Sequence, residues 1–392
     1  MNRVGLPRRS LLAGVGTAAV ASLTACQASR ATAPTSRPTA RTARPTGGQP
    51  DEAALRRKIA SLLVVGFRGD RVNRNDWIVG AIRAGLGGVI LFDRDLETKS
   101  ERNIRSPQQV TALIKELKDA SAGRLIVSID QEGGRTARLN PSNGFPATRS
   151  EAEIGAENSP PATREWARGL VASLSRVGVN LNYAPVVDLN VNPESRAIGA
   201  LDRSFSADPD VVVSNATVEI QAHRAAGVKT SLKHFPGIGS AAGNTDFEVV
   251  DVTATWRRVE LEPFRRLIQT NRVDSILAAH VLVKQLDPNR PASLSRAVIT
   301  DLLRGDLGWK GPVVSDDMQA VAITRRYGSV EAVHLALQAG VDLLVFANQQ
   351  VYDPQIFDKT LDAVVELVRR GQLTEARIDE SVARVDALRP RR

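Results

Sequence analysis

Eight short apolar runs alternate with helix-like segments along most of the 392-residue chain. Continuous apolar runs of this length are typical of strands that are buried on both faces, as in parallel sheets covered by helices. Eight such strands within about 340 residues suit a closed barrel better than an open sheet. The pattern therefore predicts an α/β fold, a single (β/α)8 barrel of the TIM type. The runs are 62–67, 88–92, 125–129, 181–189, 228–232, 276–283, 312–314 and 341–346.

The segments between the runs favour helices, because many carry apolar residues at three- and four-residue spacing. No glycine fingerprint for phosphate binding follows the first run, which argues against a nucleotide-binding sheet. We therefore expect no cofactor. The main helix-like segments are 108–120, 161–177, 209–226, 256–269, 296–303 and 330–339, and two more, 354–370 and 374–388, close the domain.

The formal net charge of +9 comes mostly from the N-terminus. The first 50 residues contain seven Arg and no acidic residue, which leaves 45 basic and 43 acidic groups in the rest of the chain. A protein that binds nucleic acid through its backbone phosphates needs a concentrated basic surface. The nearly neutral body therefore predicts no nucleic-acid partner.

Residues 1–25 have the layout of an export signal, with three Arg before an apolar stretch over 11–23. The adjacent Arg8 and Arg9 also suggest the twin-arginine route, which leaves the export route open. A Leu-Thr-Ala-Cys sequence ending at Cys26, the only cysteine, resembles the bacterial lipobox. We expect Cys26 to carry lipid and to anchor the protein at the outer face of the cell membrane. An ordinary signal peptide with an incidental cysteine is the alternative.

The segment 26–50 consists mainly of Thr, Pro, Ala, Ser and Arg, with almost nothing to bury. Such a composition predicts a disordered linker between the lipid anchor and a folded domain. The barrel domain would then occupy 51–392. The sequence indicates no oligomeric state.

Polar residues collect where four of the predicted strands end. Because the carboxyl ends of barrel strands meet at one mouth, we expect a site there. The Gly-rich segment after Lys233 and His234 can form a shaped loop over that mouth. His223 and His334 lie in helix-like segments without ligand spacing, so no metal site is predicted. The strand-end groups are Asp130-Gln131-Glu132, Lys233-His234, His280 and Ser315-Asp316-Asp317.

Six motifs follow one another along the chain: DQEGGRTAR (130–138), DRSF (202–205), KHFPG (233–237), AAHV (278–281), SDD (315–317) and AGVDLLVFAN (339–348). In these motifs and their order the chain resembles the glycoside hydrolase family 3 β-N-acetylhexosaminidases, over almost all of 51–390. The resemblance implies a single barrel and a retaining, exo-acting enzyme. It would release terminal β-linked N-acetylglucosamine from cell-wall fragments or related glycans.

The resemblance also implies roles for individual residues. Asp316 would be the nucleophile that attacks the anomeric carbon. The terminal sugar would be held through its hydroxyls and its N-acetyl group by Asp130, Arg138, Arg203, Lys233 and His234. Asp317 competes with Asp316, but adjacent strand residues point to opposite faces, so we expect only one of them in the mouth.

The acid/base position departs from the family pattern. Where these enzymes usually carry Asp-Ser-His, this chain reads Asn244-Thr245-Asp246, and Ile238 stands where a second histidine is common. Asp246 could transfer the proton if its pKa is raised in a partly dry site. Alternatively, another loop supplies the acid, for which Glu132 is a poorer candidate because glycines follow it.

Two other functions remain open. The barrel could bind sugar without efficient turnover, as a non-catalytic lipoprotein, although such a protein needs no nucleophile. Lys233 could instead form a Schiff base in an aldolase-type barrel. The other residues of KHFPG, together with Arg138 and Arg203, favour sugar binding over Schiff-base formation.

Overall fold

A closed barrel of parallel strands forms the centre of the structure, a computed structural model that describes residues 51–121 and 123–390. The strands are β1 Leu63–Gly66, β2 Gly88–Ile90, β3 Ile126–Ile129, β4 Gln131–Gly133, β5 Thr136–Ala137, β6 Leu181–Asn182, β7 Lys229–Phe235, β8 Ser275–Ala278, β9 Val313–Asp317 and β10 Leu343–Phe346. β4 and β5 form a separate antiparallel hairpin. The other eight close in the order β1, β10, β9, β8, β7, β6, β3, β2.

The barrel closes at β1, which pairs in parallel with both β10 and β2. Val64 lies opposite Val345 on one side and opposite Gly88 on the other. Side chains along the strands, such as those of Val64, Val89 and Val127, are completely buried. Strands that are buried on both faces explain the uninterrupted apolar runs in the sequence. The predicted α/β fold, a (β/α)8 barrel of the TIM type, is confirmed.

Helices alternate with the barrel strands. Several begin at residues that satisfy the free N–H groups of a first helical turn. The Ser106 side chain accepts from the Gln109 N–H ahead of α3, and Ser150 and Glu153 form a capping box at α4. The helices are α1 Glu52–Ala60, α2 Trp77–Arg83, α3 Pro107–Ala120, α4 Glu151–Glu157, α5 Pro160–Val177, α6 Pro209–Ala225, α7 Glu262–Gln269, a π-helix Ala297–Asp306, α8 Val321–Ala339, α9 Ile356–Arg369 and α10 Glu375–Val385.

Two of the eight apolar runs are strands only at their beginnings. The run 181–189 leaves the ladder after Asn182, and Pro185, which follows, has no N–H to donate to a neighbouring strand. The run 276–283 leaves the ladder after Ala278 because Ala279 and Val281 accept backbone bonds from residues 292 and 293. Farther along, each run forms an isolated parallel bridge, Val186 with Lys233 in the first and Leu282 with Asp251 in the second.

The β4–β5 hairpin lies inside the DQEGGRTAR motif and was not predicted. Its turn requires glycine, because Gly133 has a φ of +104° and a Cβ there would lie 2.3 Å from the Arg149 carbonyl oxygen. The tight turn fixes Glu132, the middle residue of β4, in a completely buried position.

The predicted signal and linker, including Cys26, lie outside the described residues, so the domain boundaries at 25 and 50 stay predictions. Among the helices of 51–121 and 123–390, none combines the length and the apolar character that a membrane span requires.

Candidate active site

The carboxyl ends of the barrel strands surround a cavity of about 210 Å³. Every residue predicted to bind sugar or to catalyse its transfer lines this one cavity. These residues are Asp130, Arg138, Arg203, Lys233, His234, Asp246 and Asp316. They come from five different parts of the chain, and the barrel topology brings them together as the sequence predicted.

Lys233, in β7, lies between two carboxylates. Its Nζ is 2.8 Å from Asp130 Oδ1 and 2.6 Å from Glu132 Oε1. Burial alone would lower the pKa of Lys233, but the two carboxylates outweigh burial and raise it. A lysine that forms a Schiff base needs a lowered pKa, so this environment favours a permanent cation that donates to substrate.

Glu132 links the lysine to Arg203. The Arg203 guanidinium donates to both Glu132 oxygens, at 2.7 and 2.8 Å, and its Nη1 donates to the Ala197 carbonyl at 2.7 Å. Burial opposes ionisation of Glu132, but Arg203 and Lys233 hold the pKa of its carboxyl far below the usual range. Glu132 is therefore a fixed anion that orients two cations, and it cannot serve as the general acid.

Asp130 is the outer carboxylate of this cluster. Besides Lys233 it contacts Arg138, whose Nη2 lies 3.7 Å from Asp130 Oδ2. Burial opposes ionisation here too, yet Lys233 and Arg138 keep the pKa of Asp130 below its usual value. The cavity wall thus presents an anionic acceptor beside cationic donors, which suits the hydroxyl groups of a sugar.

His234 is oriented by Asp188, a residue that the sequence analysis did not single out. Asp188 Oδ2 lies 2.6 Å from His234 Nδ1, and Asp188 Oδ1 accepts from the Ile238 N–H at 2.7 Å. A proton on Nδ1 directed at Asp188 leaves Nε2 facing Arg203 Nη2 at 3.3 Å. In the sequence, Asp188 is a single carboxylate near the end of the apolar run 181–189. No nearby residue in the sequence indicates its partner.

Asp316 lies near the end of β9 and its carboxylate accepts from the N–H of Asp317 at 3.0 Å. It forms no ion pair with any residue of the described chain, as suits a carboxylate that must attack carbon. Asp317 also borders the cavity, but it is buried, and its Oδ1 accepts from the N–H groups of Ala347 and Gln319. The expectation that only one of the two carboxylates faces the mouth stays a prediction. The register of β9 and β10 shifts between Leu343 and Val345, beside this pair of residues.

His280 was expected to face the same mouth, but it does not line the cavity. Its Nδ1 lies 2.6 Å from the Ser293 hydroxyl and its Nε2 lies 2.9 Å from the main-chain oxygen of Asp317. Burial lowers the pKa of this imidazole. His280 therefore acts as a neutral support that holds the end of β9.

Asp246 ends the loop that replaces the usual Asp-Ser-His segment. Its N–H donates to Asn244 Oδ1 at 2.9 Å, and its carbonyl accepts from the first residue of α8, Val321, at 3.3 Å. Burial, and next the Asp316 carboxylate, raise the pKa of Asp246 to about 6. A carboxyl that keeps its proton in mildly acidic solution has the property that a general acid requires.

The loop reaches the cavity because its backbone packs closely on the barrel. A Cβ at Gly239 would lie 1.7 Å from the Leu189 carbonyl oxygen, so no other residue fits there without a shift of the backbone. Gly239 therefore lets the loop that leads to Asp246 lie directly against the barrel.

Residues 54–388 match the glycosyl hydrolase family 3 N terminal domain. The chain belongs to glycoside hydrolase family 3. It is 34% identical to a β-hexosaminidase of Tolumonas auensis over 278 residues, which cover 70% of this chain and 79% of that protein. It is 32% identical to β-hexosaminidase LpqI of Mycobacterium tuberculosis over 354 residues, covering 87% and 84% of the two chains.

Solved structures of family 3 proteins have the same fold. The β-N-acetylglucosaminidase from Paenibacillus sp. str. FPU-7 superposes with a TM-score of 0.77 at 34% identity, covering 85% of this chain and 62% of that longer one. The β-N-acetylhexosaminidase from Beutenbergia cavernae gives a TM-score of 0.74 at 29% identity, with coverages of 84% and 97%. In this family 3 barrel, residues 51–121 and 123–390 contain no group of three or more His, Cys, Asp or Glu side chains arranged to hold a metal ion.

Proposed function

We propose that this family 3 glycosidase is an exo-acting β-N-acetylhexosaminidase that releases terminal β-linked N-acetylglucosamine with retention of configuration. The observation that carries the proposal is a single small cavity lined both by a wall of buried charged groups and by Asp316, whose carboxylate has no ion pair among residues 51–121 and 123–390. Relatives that cover most of the chain are named β-hexosaminidases.

The shape of the cavity supports an exo-acting enzyme. A cavity of about 210 Å³ at the end of a barrel admits one terminal sugar rather than the middle of a chain. Asp130 offers acceptor oxygens to its hydroxyls, and Lys233 and Arg138 offer donors. Because Glu132 fixes Lys233 and Arg203, these groups lose little freedom when a sugar binds.

In the reaction, Asp316 attacks the anomeric carbon while Asp246 gives its proton to the departing glycosidic oxygen. The bond from carbon to that oxygen breaks, and a covalent glycosyl-Asp316 ester forms. Asp246, now a carboxylate, then takes a proton from water as the water attacks the same carbon and releases Asp316. The two displacements together retain the configuration of the sugar.

The choice of Asp246 as acid/base rests on the state of the other acids in the cavity lining. Asp130 and Glu132 are ion-paired, and their cationic partners lower the pKa of each carboxyl. Asp316 is the proposed nucleophile, and Asp317 follows it directly in β9. Asp246 comes from a different loop and has a raised pKa, so it is the acid best suited to protonate a leaving group.

The alternative of a non-catalytic sugar-binding barrel has less support. A binding protein gains nothing from an unpaired carboxylate beside a second carboxyl whose pKa is raised, because both properties oppose stable folding. We retain the enzyme as the conclusion.

We also propose that the protein is exported through the signal at 1–25 and anchored through lipid on Cys26. The linker 26–50 would then let the domain at 51–392 reach cell-wall fragments or related glycans outside the membrane. The support for this arrangement is the lipobox-like sequence and the single cysteine.

Covalent labelling tests the reaction directly. Purified full-length protein is incubated with 5-fluoro-N-acetylglucosaminyl fluoride, digested and analysed by peptide mass spectrometry. We expect one glycosyl adduct on the peptide that contains Asp316, together with release of N-acetylglucosamine from an aryl hexosaminide. Asp316→Asn is expected to abolish both. Absence of hexosaminide cleavage by the folded, unsubstituted protein would overturn the proposal.

A further inference from the structure

Asp188 is a completely buried carboxylate that contacts two different parts of the site. Its Oδ2 accepts from the main-chain N–H of His234 at 3.1 Å and lies 2.6 Å from Nδ1 of the same residue. Its Oδ1 accepts from the N–H of Ile238 at 2.7 Å. Ile238 is the first residue of the segment 238–246, which we call the acid/base loop because it ends at Asp246. One carboxylate therefore binds both a residue of the cavity wall and the start of this loop.

The contact with Oδ2 fixes which nitrogen of His234 carries the proton. Nε2 lies 3.3 Å from Arg203 Nη2, and a guanidinium only donates hydrogen bonds. Nε2 is therefore an acceptor, and Nδ1 carries the proton that is directed at Asp188. In this tautomer the ring keeps a lone pair at Nε2, which is available to Arg203 or to a hydroxyl of a bound sugar.

The contact with Oδ1 fixes the start of the acid/base loop. At 2.7 Å it is the shortest hydrogen bond between this loop and the rest of the described chain. The N–H of Ser240 donates to Glu260 at 3.2 Å, and the last two residues of the loop accept from α8 at 3.2 and 3.3 Å. The position of Asp246 over the cavity therefore depends strongly on the bond to Asp188 at the other end of the loop.

We propose that Asp188 is a positioning residue that couples sugar binding to proton transfer. One oxygen holds His234 in the tautomer that can accept from a sugar hydroxyl, and the other holds the loop that carries Asp246. A single buried group thus sets the position of both. Burial of a carboxylate is costly unless its oxygens are hydrogen-bonded, so the folded chain keeps these N–H groups directed at Asp188. The inference rests on the proposed function.

Asp188→Asn separates the two contacts. Both N–H groups of His234 point at Oδ2, so the amide oxygen lies there, and the amide NH2 faces the N–H of Ile238, where a donor meets a donor. His234 should keep its tautomer, while the acid/base loop loses its bond. We expect kcat/KM for a methyl N-acetyl-β-glucosaminide to fall about 10²-fold, as for a catalytic group displaced by about 1 Å. For the dinitrophenyl glycoside, which needs little protonation, the loss should be less than about tenfold.

Asp188→Ala removes both contacts. The Nδ1 proton of His234 then has no acceptor at residue 188, so KM for the dinitrophenyl glycoside should rise about tenfold or more, which Asp188→Asn should not cause. The chain has four histidines, so imidazole nitrogen NMR with 15N-labelled histidine can follow His234. We expect the tautomer protonated at Nδ1 in the unsubstituted protein and in Asp188→Asn, and a changed His234 spectrum in Asp188→Ala.

A double variant tests the coupling to Asp246. In the Asp246→Asn background there is no proton to donate, so adding Asp188→Asn should lower kcat/KM for both leaving groups by the same factor. Asp274→Asn is the matched control, because this buried carboxylate accepts from the Thr230 N–H near the opposite end of β7. It should leave the leaving-group dependence unchanged, which separates positioning from a general loss of stability. Circular dichroism establishes that each variant is folded.

Hydrogen exchange tests the loop without turnover. Measured by peptide mass spectrometry, the amides of 238–246 should exchange faster in Asp188→Asn than in the unsubstituted protein or in Asp274→Asn. If the unsubstituted protein cleaves no hexosaminide, the proposed function fails, while exchange and NMR still decide whether Asp188 holds the loop and the histidine.

Three results would overturn the proposal. The first is an equal loss of kcat/KM for both leaving groups in Asp188→Asn. The second is unchanged exchange of the acid/base loop in that variant. The third is an unchanged His234 spectrum in Asp188→Ala.

Discussion

Replacement of Asp246 by Asn should damage the cleavage of substrates with poor leaving groups far more than the cleavage of activated ones. The substitution removes a proton without changing the size of the side chain, and it keeps the N–H that donates to Asn244. A good leaving group departs as an anion and needs little protonation, whereas an alkyl or sugar aglycone needs the acid. The comparison of leaving groups therefore isolates proton transfer.

The raised pKa sets the size of the effect at each pH. With the pKa of Asp246 at about 6, roughly nine tenths of the enzyme carries the proton at pH 5 and roughly one tenth at pH 7. A positioned general acid contributes about 10²- to 10⁴-fold. We therefore expect kcat/KM for a poor leaving group to fall by that factor at pH 5, and by about tenfold less at pH 7.

The assay compares kcat/KM for a methyl or chitobiose-type aglycone with that for a dinitrophenyl hexosaminide across pH 4 to 8. For the dinitrophenyl substrate, kcat/KM should change less than about tenfold. Its kcat should fall, because hydrolysis of the covalent intermediate lacks the general base. Azide, which attacks without a base, should restore kcat for that substrate and yield a glycosyl azide. Equal losses for both leaving groups, or no loss for either, would refute the assignment of Asp246.

Four further changes test other parts of the structure. Asp130→Asn should raise KM about tenfold or more because it weakens an acceptor for sugar hydroxyls, and an unchanged KM in steady-state assays would place the sugar elsewhere. Lys233→Met should lower the free energy of unfolding in urea by about 3–5 kcal/mol, since Asp130 and Glu132 lose their shared cation; a loss below about 1 kcal/mol would contradict this. Glu219 is completely buried, and burial and then Glu132 raise its pKa well above the usual value, so the folded state binds an extra proton and stability falls as the pH rises above the ordinary range of a glutamate. Glu219→Gln should reduce this slope by up to about 1.4 kcal/mol per pH unit in denaturation series between pH 5 and 8, and an identical slope would contradict it. Cys26→Ala should move the protein from the membrane fraction to the soluble fraction, and unchanged partitioning would remove the lipid anchor.

Much of the fold follows from local sequence patterns. Apolar runs such as 62–67 and 341–346 can be buried only as strands covered on both faces, and eight of them with intervening helices leave few arrangements besides a barrel. The position of the site also follows, since the carboxyl ends of the strands in a barrel meet at one mouth. Lys233, Asp130 and Asp316 were for this reason expected together, and they line one cavity.

Predictions based on regular strand geometry were less successful at the strand ends. Side-chain alternation predicted that only one of Asp316 and Asp317 faces the mouth, and both residues border the cavity, beside a register shift between β9 and β10. His280 stands near the end of a strand and yet supports Asp317 from outside the cavity. At a strand end, the direction of a side chain depends more on its tertiary contacts than on the alternation of the strand. Few ladder hydrogen bonds remain there to hold the backbone in regular strand geometry.

The sequence by itself determined the barrel, the mouth and the chemical types of residue that meet there. Only the tertiary structure decided how those residues pair and which of them hold protons. Glu132 and Arg203 are 71 positions apart, and Asp188 and His234 are 46 apart, so nothing in the local sequence indicates either contact. The pKa of Asp246 depends on its burial and on Asp316, whose carboxylate comes from another strand end. The charge state of a side chain depends on its burial and on the charged groups near it in space, and both are set only when the chain folds.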